Sequence, residues 1–446
     1  MLDSFSDVLS DVPGRTKTIS HKINLYSNES IRPKNYPVPL NLVEDFEKEV
    51  NKMLEMDIIQ PSTSDFCSPV VFVRKSNGDL RICVDFRELN KHTIFDAEPM
   101  PSINDDLHKF RGAKYFSELD LAKGYWQVNL DIESRKFTAF KTKYGLMEFK
   151  VMPFGLSTAC ATFVRLMRRV LANLPHVSSY FDNIVIYSEN WKEHLNHLES
   201  VLLRLREHGL TAGPGKCFIG FPEIKYLGYT VGNDTLQTIK SRIDNIVQLP
   251  LPNTKKSLRS FMGTVGYYNR FIPNFSMLAS PINDLLKKNS PNNLIWDKHR
   301  ENCFNKLKNC LVEYPILMLP DVDKVFYLRT DASYYGLGAA ILQEHDNILK
   351  PVCFAGKKLT TSEQKYSTVE KECYAIVWGI NRFKEYLYGK EFVLQTDHMP
   401  LKFLCGMKNK NDRLIRWILS LQPYKFVIEY IKGTDNVCAD MISRCI

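Results

Sequence analysis

Two β-rich runs that flank a short polar tip constrain this chain more than any other feature of its sequence. The runs lie between Ser179 and Tyr187, and the tip holds Asp182 and Asn183. Asp and Asn are common in tight turns because they tolerate positive φ, so the dipeptide alone predicts only a hairpin. A hairpin tip can also carry paired carboxylates to a metal site. Here one member of the pair is an amide.

A second carboxylate ends another run that is typical of a strand. Asp120 follows residues 114–119, which read KYFSEL. Hard divalent cations prefer carboxylate oxygens as ligands. Carboxylates at the ends of two separate strands can converge on one site, so Asp120 and Asp182 are candidate metal ligands.

Length and composition set broad limits. A chain of 446 residues is long enough for two to four domains, and its net charge of +9 makes a polyanionic partner plausible. The 11 cysteines are odd in number and show no C-x-x-C spacing, which argues against a zinc module and a disulfide framework. No signal peptide or membrane-spanning apolar run is evident, so we expect an intracellular protein with no membrane partner.

Hydrophobic periodicity predicts the order of the helices and strands. Residues 1–40 are polar and interrupted by proline, so we expect a tail there, and a loop-rich stretch is expected before Pro320. The predicted helices cover residues 42–58, 155–173, 191–208, 254–268 and 368–388. The predicted strands include residues 70–74, 80–85, 325–330 and 391–396. A β-rich α+β part followed by a strand–helix–strand unit indicates two functional modules.

Six blocks of sequence follow one another along the first half of the chain. They cover residues 74–90, 116–127, 152–157, 179–187, 216–217 and 226–229. The second reads FSELDLAKGYWQ, the third MPFGLS and the last YLGY. In this order and spacing the blocks resemble the polymerase motifs of reverse transcriptases, in the pattern of gypsy-class LTR retrotransposons. With the C-terminal third, the resemblance covers almost the whole chain.

The resemblance implies roles for the residues that match these motifs. Asp120 and Asp182 would bind two divalent cations, Mg²⁺ or Mn²⁺, which two-metal enzymes hold about 3.5–4 Å apart. Tyr125 would pack under the sugar and exclude a 2′-hydroxyl group. Phe154 and Gly155 would lie against the incoming nucleotide and the template.

The same resemblance implies contacts to the triphosphate and to the primer. Arg81, together with Arg74 or Lys75, would hold the triphosphate, and the short loop between them leaves that register open. Leu227 and Gly228 lie in the block that resembles the primer grip.

Asn183 departs from the family pattern, which has a second aspartate at this position. Asn is nearly isosteric with Asp and its carbonyl can still bind a hard cation, but the change removes one negative charge beside two dications. Asn183 therefore stays among the candidate catalytic residues. We expect reduced or metal-shifted polymerase activity, and an inactive copy is the alternative.

The C-terminal third resembles an RNase H domain, which uses four carboxylates and two metal ions to cut a phosphodiester. Asp331, Asp397 and Asp440 lie in motifs of that family. The helix between the first two offers Glu370 and Glu372. At about 100° per residue, Glu372 lies about 60° from the centre of the apolar stripe and Glu370 about 100° away. Glu372 is therefore the better candidate ligand.

Glu370 has a separate explanation, because Ser367 and Glu370 have the spacing of a capping box at the start of the helix.

These features predict an α+β protein in which a right-hand polymerase, with fingers, palm and thumb, precedes an RNase H-like α/β domain. We expect a tail at residues 1–30 and fingers and palm at 31–235. A thumb- or connection-like segment is expected at 236–320 and the RNase H-like domain at 321–446.

The function that the resemblance implies is RNA-directed DNA synthesis with RNase H cleavage. Its partners would be an RNA template, a DNA primer, RNA–DNA hybrids and deoxynucleoside triphosphates. Each active site would use two Mg²⁺ or Mn²⁺ ions, and the protein would act in the cytoplasm or in a particle of the element. The alternatives are a polymerase-impaired relic that acts as RNase H only, and a non-catalytic nucleic-acid-binding protein.

Overall fold

A computed structural model gives the fold of residues 1–27, 29, 38–74, 80–102, 106–273, 275–313, 316–334, 336–397 and 412–431. The chain divides into two compact units. Met1–Asp106 and Gly112–Ile224 form the first unit, and Leu107–Arg111 and Lys225–Ile446 form the second. Within the described residues, no helix is long and apolar enough to cross a membrane.

A four-stranded antiparallel sheet in the first unit contains the predicted hairpin. The strand order across the sheet is Phe218–Phe221, Tyr115–Asp120, Asn183–Ser188 and Val177–Tyr180. Side chains alternate between the two faces of a strand. Leu119, Ile184 and Ile186 are fully buried. The apolar positions of the two central strands thus hold the sheet in the core.

The helix Trp191–Glu207 packs on the two central strands of this sheet. It begins at Asn190, whose side-chain oxygen accepts a hydrogen bond from the Glu193 amide at 3.0 Å. Such an N-cap satisfies a backbone donor that has no partner within the helix. The apolar side chains of the helix that have no exposed surface are Leu198, Val201, Leu202 and Leu205. The predicted helix at 191–208 is confirmed.

The remaining elements of the first unit surround this sheet. Strands Val70–Arg74 and Leu80–Val84 pair in antiparallel fashion, as predicted, and their Asn77-Gly78 tip lies outside the described residues. Strands Ile59–Pro61, Gly145–Phe149 and Phe140–Thr142 form a third sheet. The α-helices of this part include Val43–Glu55, Arg87–His92, Ile132–Arg135 and Ala159–Val170.

The N-terminal residues differ from the predicted tail. Thr16–His21 forms a strand that pairs in parallel with Val128–Leu130. Phe5 and Val8 are buried in the core of the first unit, and the Arg15 guanidinium donates to the carbonyl of Trp126 at 2.6 Å. Burial of apolar side chains offsets the entropy lost when a polar segment is ordered. These few apolar residues explain why the segment is folded.

The chain from Glu223 onward forms two further sheets. The first has the strand order Glu223–Tyr226, Tyr229–Gly232, Thr235–Thr238 and Ile316–Met318. The second has the order Ile348–Lys358, Gly336–His345, Phe326–Ala332, Glu391–Thr396 and Lys425–Tyr430. The pairs that involve Glu391–Thr396 are parallel, and the other pairs of the second sheet are antiparallel.

The helix Thr368–Arg382 packs on the five-stranded sheet. It begins at Ser367 with the predicted capping box. A Cβ atom on Gly379 would lie 3.0 Å from the Thr330 side chain, so the glycine permits a close approach of helix and sheet. The helix ends six residues before the predicted boundary at 388, and a separate short helix, Lys384–Leu387, follows.

The predicted loop-rich stretch before Pro320 is wrong. Helices Phe275–Asp284 and Lys298–Glu313 occupy much of it, after helices Lys240–Gln248 and Lys255–Tyr267. Helix Lys298–Glu313 is rich in lysine and asparagine, which hides a narrow apolar stripe. The buried side chains of that stripe are Cys303, Phe304, Leu307 and Leu311. Their spacing of three and four residues is that of one helix face.

Candidate active sites

Asp120 and Asp182 come together at one end of the four-stranded sheet. Asp120 is the last residue of its strand, and Asn183 lies directly opposite it in the ladder. Asp182 occupies the hairpin tip, where its carbonyl accepts a hydrogen bond from the Leu121 amide at 2.9 Å. Phe181 has a φ of 54°, in the left-handed region that a tight turn requires. The sequence prediction that these two carboxylates converge agrees with this geometry.

The two aspartates line a cleft of about 640 Å³ in the first unit. Phe154 also lines it, as do three lysines at positions 52, 123 and 216. The Lys216 Nζ atom lies 3.1 Å from Asp120 Oδ1. Cations beside a carboxylate pair suit a ligand that carries both phosphates and divalent metal ions. Lys52 and Lys123 were not singled out from the sequence, although Lys123 stands three residues after Asp120 in the same block.

The electrostatics of the cleft favour uptake of positive charge. Burial raises the pKa of Asp182, and the nearby charge of Asp120 raises it further, against a smaller lowering by Lys216. Burial also raises the pKa of Glu118, against a hydrogen bond from Asn183 that lowers it. A carboxylate with a raised pKa in a cleft, as Asp182 has, is typical of a functional site.

Tyr125 lies beside the cleft rather than along its wall. Its ring centroid is 5.2 Å from that of Phe154 and 5.3 Å from that of Phe163. The Tyr125 hydroxyl is 3.0 Å from the Cys160 sulfur, and burial raises the pKa of the tyrosine. At Gly124 a Cβ atom would lie 3.0 Å from Asp182 Cβ, so the glycine lets this segment approach the hairpin tip.

The loop that carries Phe154 and Gly155 is held by Asn90. The Asn90 side-chain amide donates to the carbonyl of Gly155 at 2.9 Å, and its oxygen accepts from the Ser157 amide at 2.9 Å. Gly155 has a φ of 97°, which favours glycine. In the sequence Asn90 is only the last residue of a block, and its contact with Gly155 joins residues 65 positions apart.

Asn183 contacts a carboxylate that sequence reasoning missed. The Asn183 Nδ2 atom donates to Glu118 Oε1 at 2.6 Å. The Asn183 Oδ1 atom is buried and has no hydrogen-bond partner. Glu118 lies two residues before Asp120, and alternate residues of a strand share a face. That alternation is the signal that could have identified Glu118.

Of the residues predicted to hold the triphosphate, the structure describes only the backbone of Arg74 and Arg81. Val73 pairs with Arg81 and Arg74 with Leu80 in the hairpin ladder, so the two arginines lie near its tip. The side chains of Arg74 and Arg81, and the whole of Lys75, lie outside the described residues.

The predicted primer-grip residues form a tight turn in the second unit. Leu227 has a φ of 47° and Gly228 a φ of 86°. The hydroxyl of Tyr267 donates to the Leu227 carbonyl, and that of Tyr268 donates to the Gly228 carbonyl at 3.0 Å. Both tyrosines thus hold the backbone of the turn.

The predicted nuclease carboxylates lie on three elements of the second unit. Asp331 is on strand Phe326–Ala332, and Asp397 directly follows strand Glu391–Thr396. These strands pair in parallel with Arg329 opposite Gln395, so the same register brings Asp331 level with Asp397. Glu372 lies on the helix that packs on this sheet, and Glu372 and Asp331 are both buried, at 6% and 3% exposure. Asp440 lies outside the described residues.

Glu370 occupies the capping position and not the sheet side of that helix. Its carboxylate accepts from the Ser367 amide at 2.9 Å and from Arg413 at 3.1 Å. The predicted capping box is confirmed, and the pairing with Arg413 was not expected from the sequence.

The donor chemistry of the first site fits divalent cations. Asp120 and Asp182 line the cleft together with two further carboxylates, Asp11 and Glu49. The buried Oδ1 of Asn183 is a further hard oxygen. Across the ranges that the structure covers, no group of three or more His, Cys, Asp or Glu side chains is arranged to hold a metal ion.

Comparison with known proteins identifies both units. Residues 73–231 match the family described as reverse transcriptase (RNA-dependent DNA polymerase). Residues 321–424 match the RNase H-like domain found in reverse transcriptase. The chain belongs to the reverse transcriptase family and carries the RNase H-like domain of that family.

The relatives of the chain are Pol polyproteins of retrovirus-related transposons. The polyprotein from transposon 297 of Drosophila melanogaster is 38% identical over 436 residues, which is 96% of this chain and 41% of the relative. That from transposon 412 is 36% identical over 95% of this chain and 35% of its own length. The transposon Tf2-3 polyprotein of Schizosaccharomyces pombe is 33% identical over 98% of this chain and 33% of its own length. The chain thus spans about two fifths or less of these curated relatives.

Solved structures share the fold. The foamy viral protease-reverse transcriptase dRH in complex with double-stranded DNA matches with a TM-score of 0.89 over 97% of this chain and 77% of that chain. The foamy viral protease-reverse transcriptase in complex with an RNA/DNA hybrid matches with a TM-score of 0.81 over 97% and 60%. Both are 22% identical to this chain. The predicted fold, a right-hand polymerase with an RNase H-like domain, is confirmed.

Proposed function

We propose that this chain is the RNA-directed DNA polymerase and RNase H of a retrotransposon Pol polyprotein. One observation carries the polymerase part: Asp120 and Asp182 line one cleft together with three lysines. The family matches at residues 73–231 and 321–424 support the pairing of the two activities in one chain. Substrates would be an RNA template, a DNA primer and deoxynucleoside triphosphates.

Divalent metal dependence is general in both families. Bound Mg²⁺ or Mn²⁺ would activate the primer hydroxyl and stabilise charge on the transferred phosphate. Asp120 and Asp182 would hold the ions in the polymerase, and Asp331, Glu372, Asp397 and Asp440 would hold them in the nuclease.

The other residues of the chain would position the substrates. The lysines of the cleft would offset phosphate charge. Phe154 would form part of the wall against which the incoming nucleotide lies, and Tyr125, whose ring packs on Phe154 beside the cleft, would lie under the sugar. Gly155 would lie at the template, and Leu227 and Gly228 at the primer. Arg81, with Arg74 or Lys75, would bind the triphosphate.

Primer extension on an RNA template tests the polymerase proposal. The full chain is assayed with Mg²⁺ and with Mn²⁺, beside Asp182→Asn and Asp120→Asn. We expect extension by the unmodified chain and none by either variant, because each loses a charged ligand. A matched control is Asp131→Asn, which changes an aspartate outside the cleft. Extension by Asp182→Asn at the unmodified rate would contradict the proposed role.

The second candidate is an RNase H whose polymerase unit only holds the hybrid, and Asn183 is the observation that favours it. Cleavage of a labelled RNA–DNA duplex separates the two candidates. Cleavage without extension under either metal would support the nuclease-only function. Binding of the duplex with neither reaction would support a non-catalytic nucleic-acid-binding protein.

A further inference from the structure

The hydrogen bond between Asn183 and Glu118 joins two neighbouring strands beside the candidate metal site. Val185 is opposite Glu118 in the ladder and Asn183 is opposite Asp120. Directly opposed residues and alternate residues of a strand share a face, so Glu118, Asp120 and Asn183 project from the same face of the sheet. The 2.6 Å contact is therefore a diagonal pair on the face that carries Asp120.

Glu118 determines the orientation of the Asn183 amide. An amide presents a donor nitrogen and an acceptor oxygen on one planar group. If the amide were reversed, its oxygen would face a carboxylate oxygen at the hydrogen-bond distance, which is an acceptor–acceptor contact. The Asn183 Nδ2 atom therefore donates to Glu118. The buried Asn183 Oδ1 atom faces away from Glu118 and has no hydrogen-bond partner.

We propose that Glu118 is a positioning residue that replaces the missing second aspartate of the hairpin. It supplies the third negative charge of the centre beside Asp120 and Asp182, and it fixes Asn183 so that the amide offers its oxygen to a hard divalent cation. Three of the four positions 118, 120, 182 and 183 then carry a carboxylate. The third carboxylate is on the neighbouring strand at Glu118 instead of on the hairpin at position 183. This inference rests on the proposed polymerase function, because it concerns the same metal site.

A restored aspartate at position 183 would meet Glu118 directly. Asn183→Asp replaces the donor of a 2.6 Å hydrogen bond with a second carboxylate oxygen, and like charges on diagonal strand positions repel. Adding Glu118→Gln returns a donor to this contact, because the glutamine amide can donate to the new carboxylate. The double variant exchanges the carboxylate and the amide between positions 118 and 183. Its formal charge is therefore the same as that of the unmodified chain.

Metal binding is measured first, on full-length chains that all carry Asp331→Asn to weaken the second metal site equally. Free Mn²⁺ is followed by electron paramagnetic resonance for the parent, Glu118→Gln, Asn183→Asp and the double variant. We expect Glu118→Gln to raise the Mn²⁺ dissociation constant at least about tenfold, and the double variant to return it to near the parent value. The matched control is Glu148→Gln, a half-buried glutamate of the same unit that accepts from Gln60 and Ser62.

Unfolding in urea with EDTA provides a readout that needs neither metal nor activity. We expect Asn183→Asp to lower the urea midpoint, because the two carboxylates meet without an ion between them. The double variant should recover the midpoint of the parent. Non-additivity of this kind is the signature of a direct contact.

Two results would overturn the inference. The first is an Asn183→Asp chain that is as stable as the parent in EDTA and binds Mn²⁺ more tightly. The second is a Glu118→Gln chain with the Mn²⁺ affinity of the Glu148→Gln control. Failure of the proposed function looks different, because it would leave the coupling in EDTA and the Mn²⁺ affinities as expected while no chain extends a primer.

Discussion

Lowering the pH from 7 to 5 will destabilise the first unit through a buried histidine that contacts the sheet carrying Asp120. His194 has no exposed surface. One ring nitrogen lies 2.7 Å from the Ser117 hydroxyl and the other lies 3.0 Å from the Ser188 hydroxyl. These serines belong to the strands that carry Asp120 and Asn183, so the ring joins both strands to its helix.

The size of the effect follows from the pKa of His194. Burial lowers this pKa to about 4, with a smaller contribution from the nearby His197. An unfolded histidine has a pKa of about 6.5, so the unfolded chain binds the proton more strongly. The stabilisation is complete above pH 6.5 and is lost as the pH falls toward 4. Linkage gives a loss of about 2 kcal/mol from this residue between pH 7 and pH 5.

The assay is urea unfolding at both pH values, followed by tryptophan fluorescence. Trp191 is a local reporter, because its ring stacks on His194 with centroids 5.9 Å apart. His194→Gln should lose about 2 kcal/mol less than the unmodified chain between pH 7 and pH 5. His208→Gln, at the end of the same helix, controls for the loss of a histidine. His21, whose pKa burial also lowers to about 4, is present in every protein and cancels in the comparison.

Equal losses of stability in the unmodified chain and in His194→Gln would refute this reasoning. They would mean that the folded protein accommodates the charged ring at little cost, and that the two serine contacts do not require the neutral form.

Three further predictions concern the two active sites and the primer turn. Glu372→Gln should abolish cleavage of RNA in a labelled hybrid, whereas Glu370→Gln should keep it and lose about 1 kcal/mol of stability with its cap; the reverse result would show that the helix face is wrongly assigned. Tyr125→Ala should raise the ratio of ribonucleotide to deoxynucleotide incorporation, and an unchanged ratio would make the ring a packing residue. Tyr268→Phe should lower stability by about 1 kcal/mol and weaken primer binding, because Gly228 loses a hydrogen bond; unchanged primer affinity would dissociate the turn from the primer.

Features that depend on neighbours in the sequence could be predicted. The capping box at Ser367 needs only residues 367 and 370. The hairpin around Asp182 is set by its own turn residues and by the β-rich runs on both sides. Glu372 could be separated from Glu370 because helical spacing fixes the faces of an isolated helix.

Features that depend on partners far away in the chain could not be predicted from the sequence. Thr16–His21 is polar, and it becomes a strand only because Val128–Leu130 offers it an edge. Helix Phe275–Asp284 contains Pro281, which argues against a helix when the sequence is considered alone. The clamp of Asn90 on the loop at Gly155 joins residues far apart in the chain. No local pattern contains such contacts.

The interpretation of Asn183, which departs from the family motif, depends on its contact with Glu118. Considered alone, it removes a charge from a centre that we propose to hold dications, and loss of activity is the simplest consequence. The contact with Glu118 makes the two positions interdependent, since a carboxylate at one requires a donor at the other. Selection on the charge of the centre would then act on the pair, so either residue can carry the carboxylate.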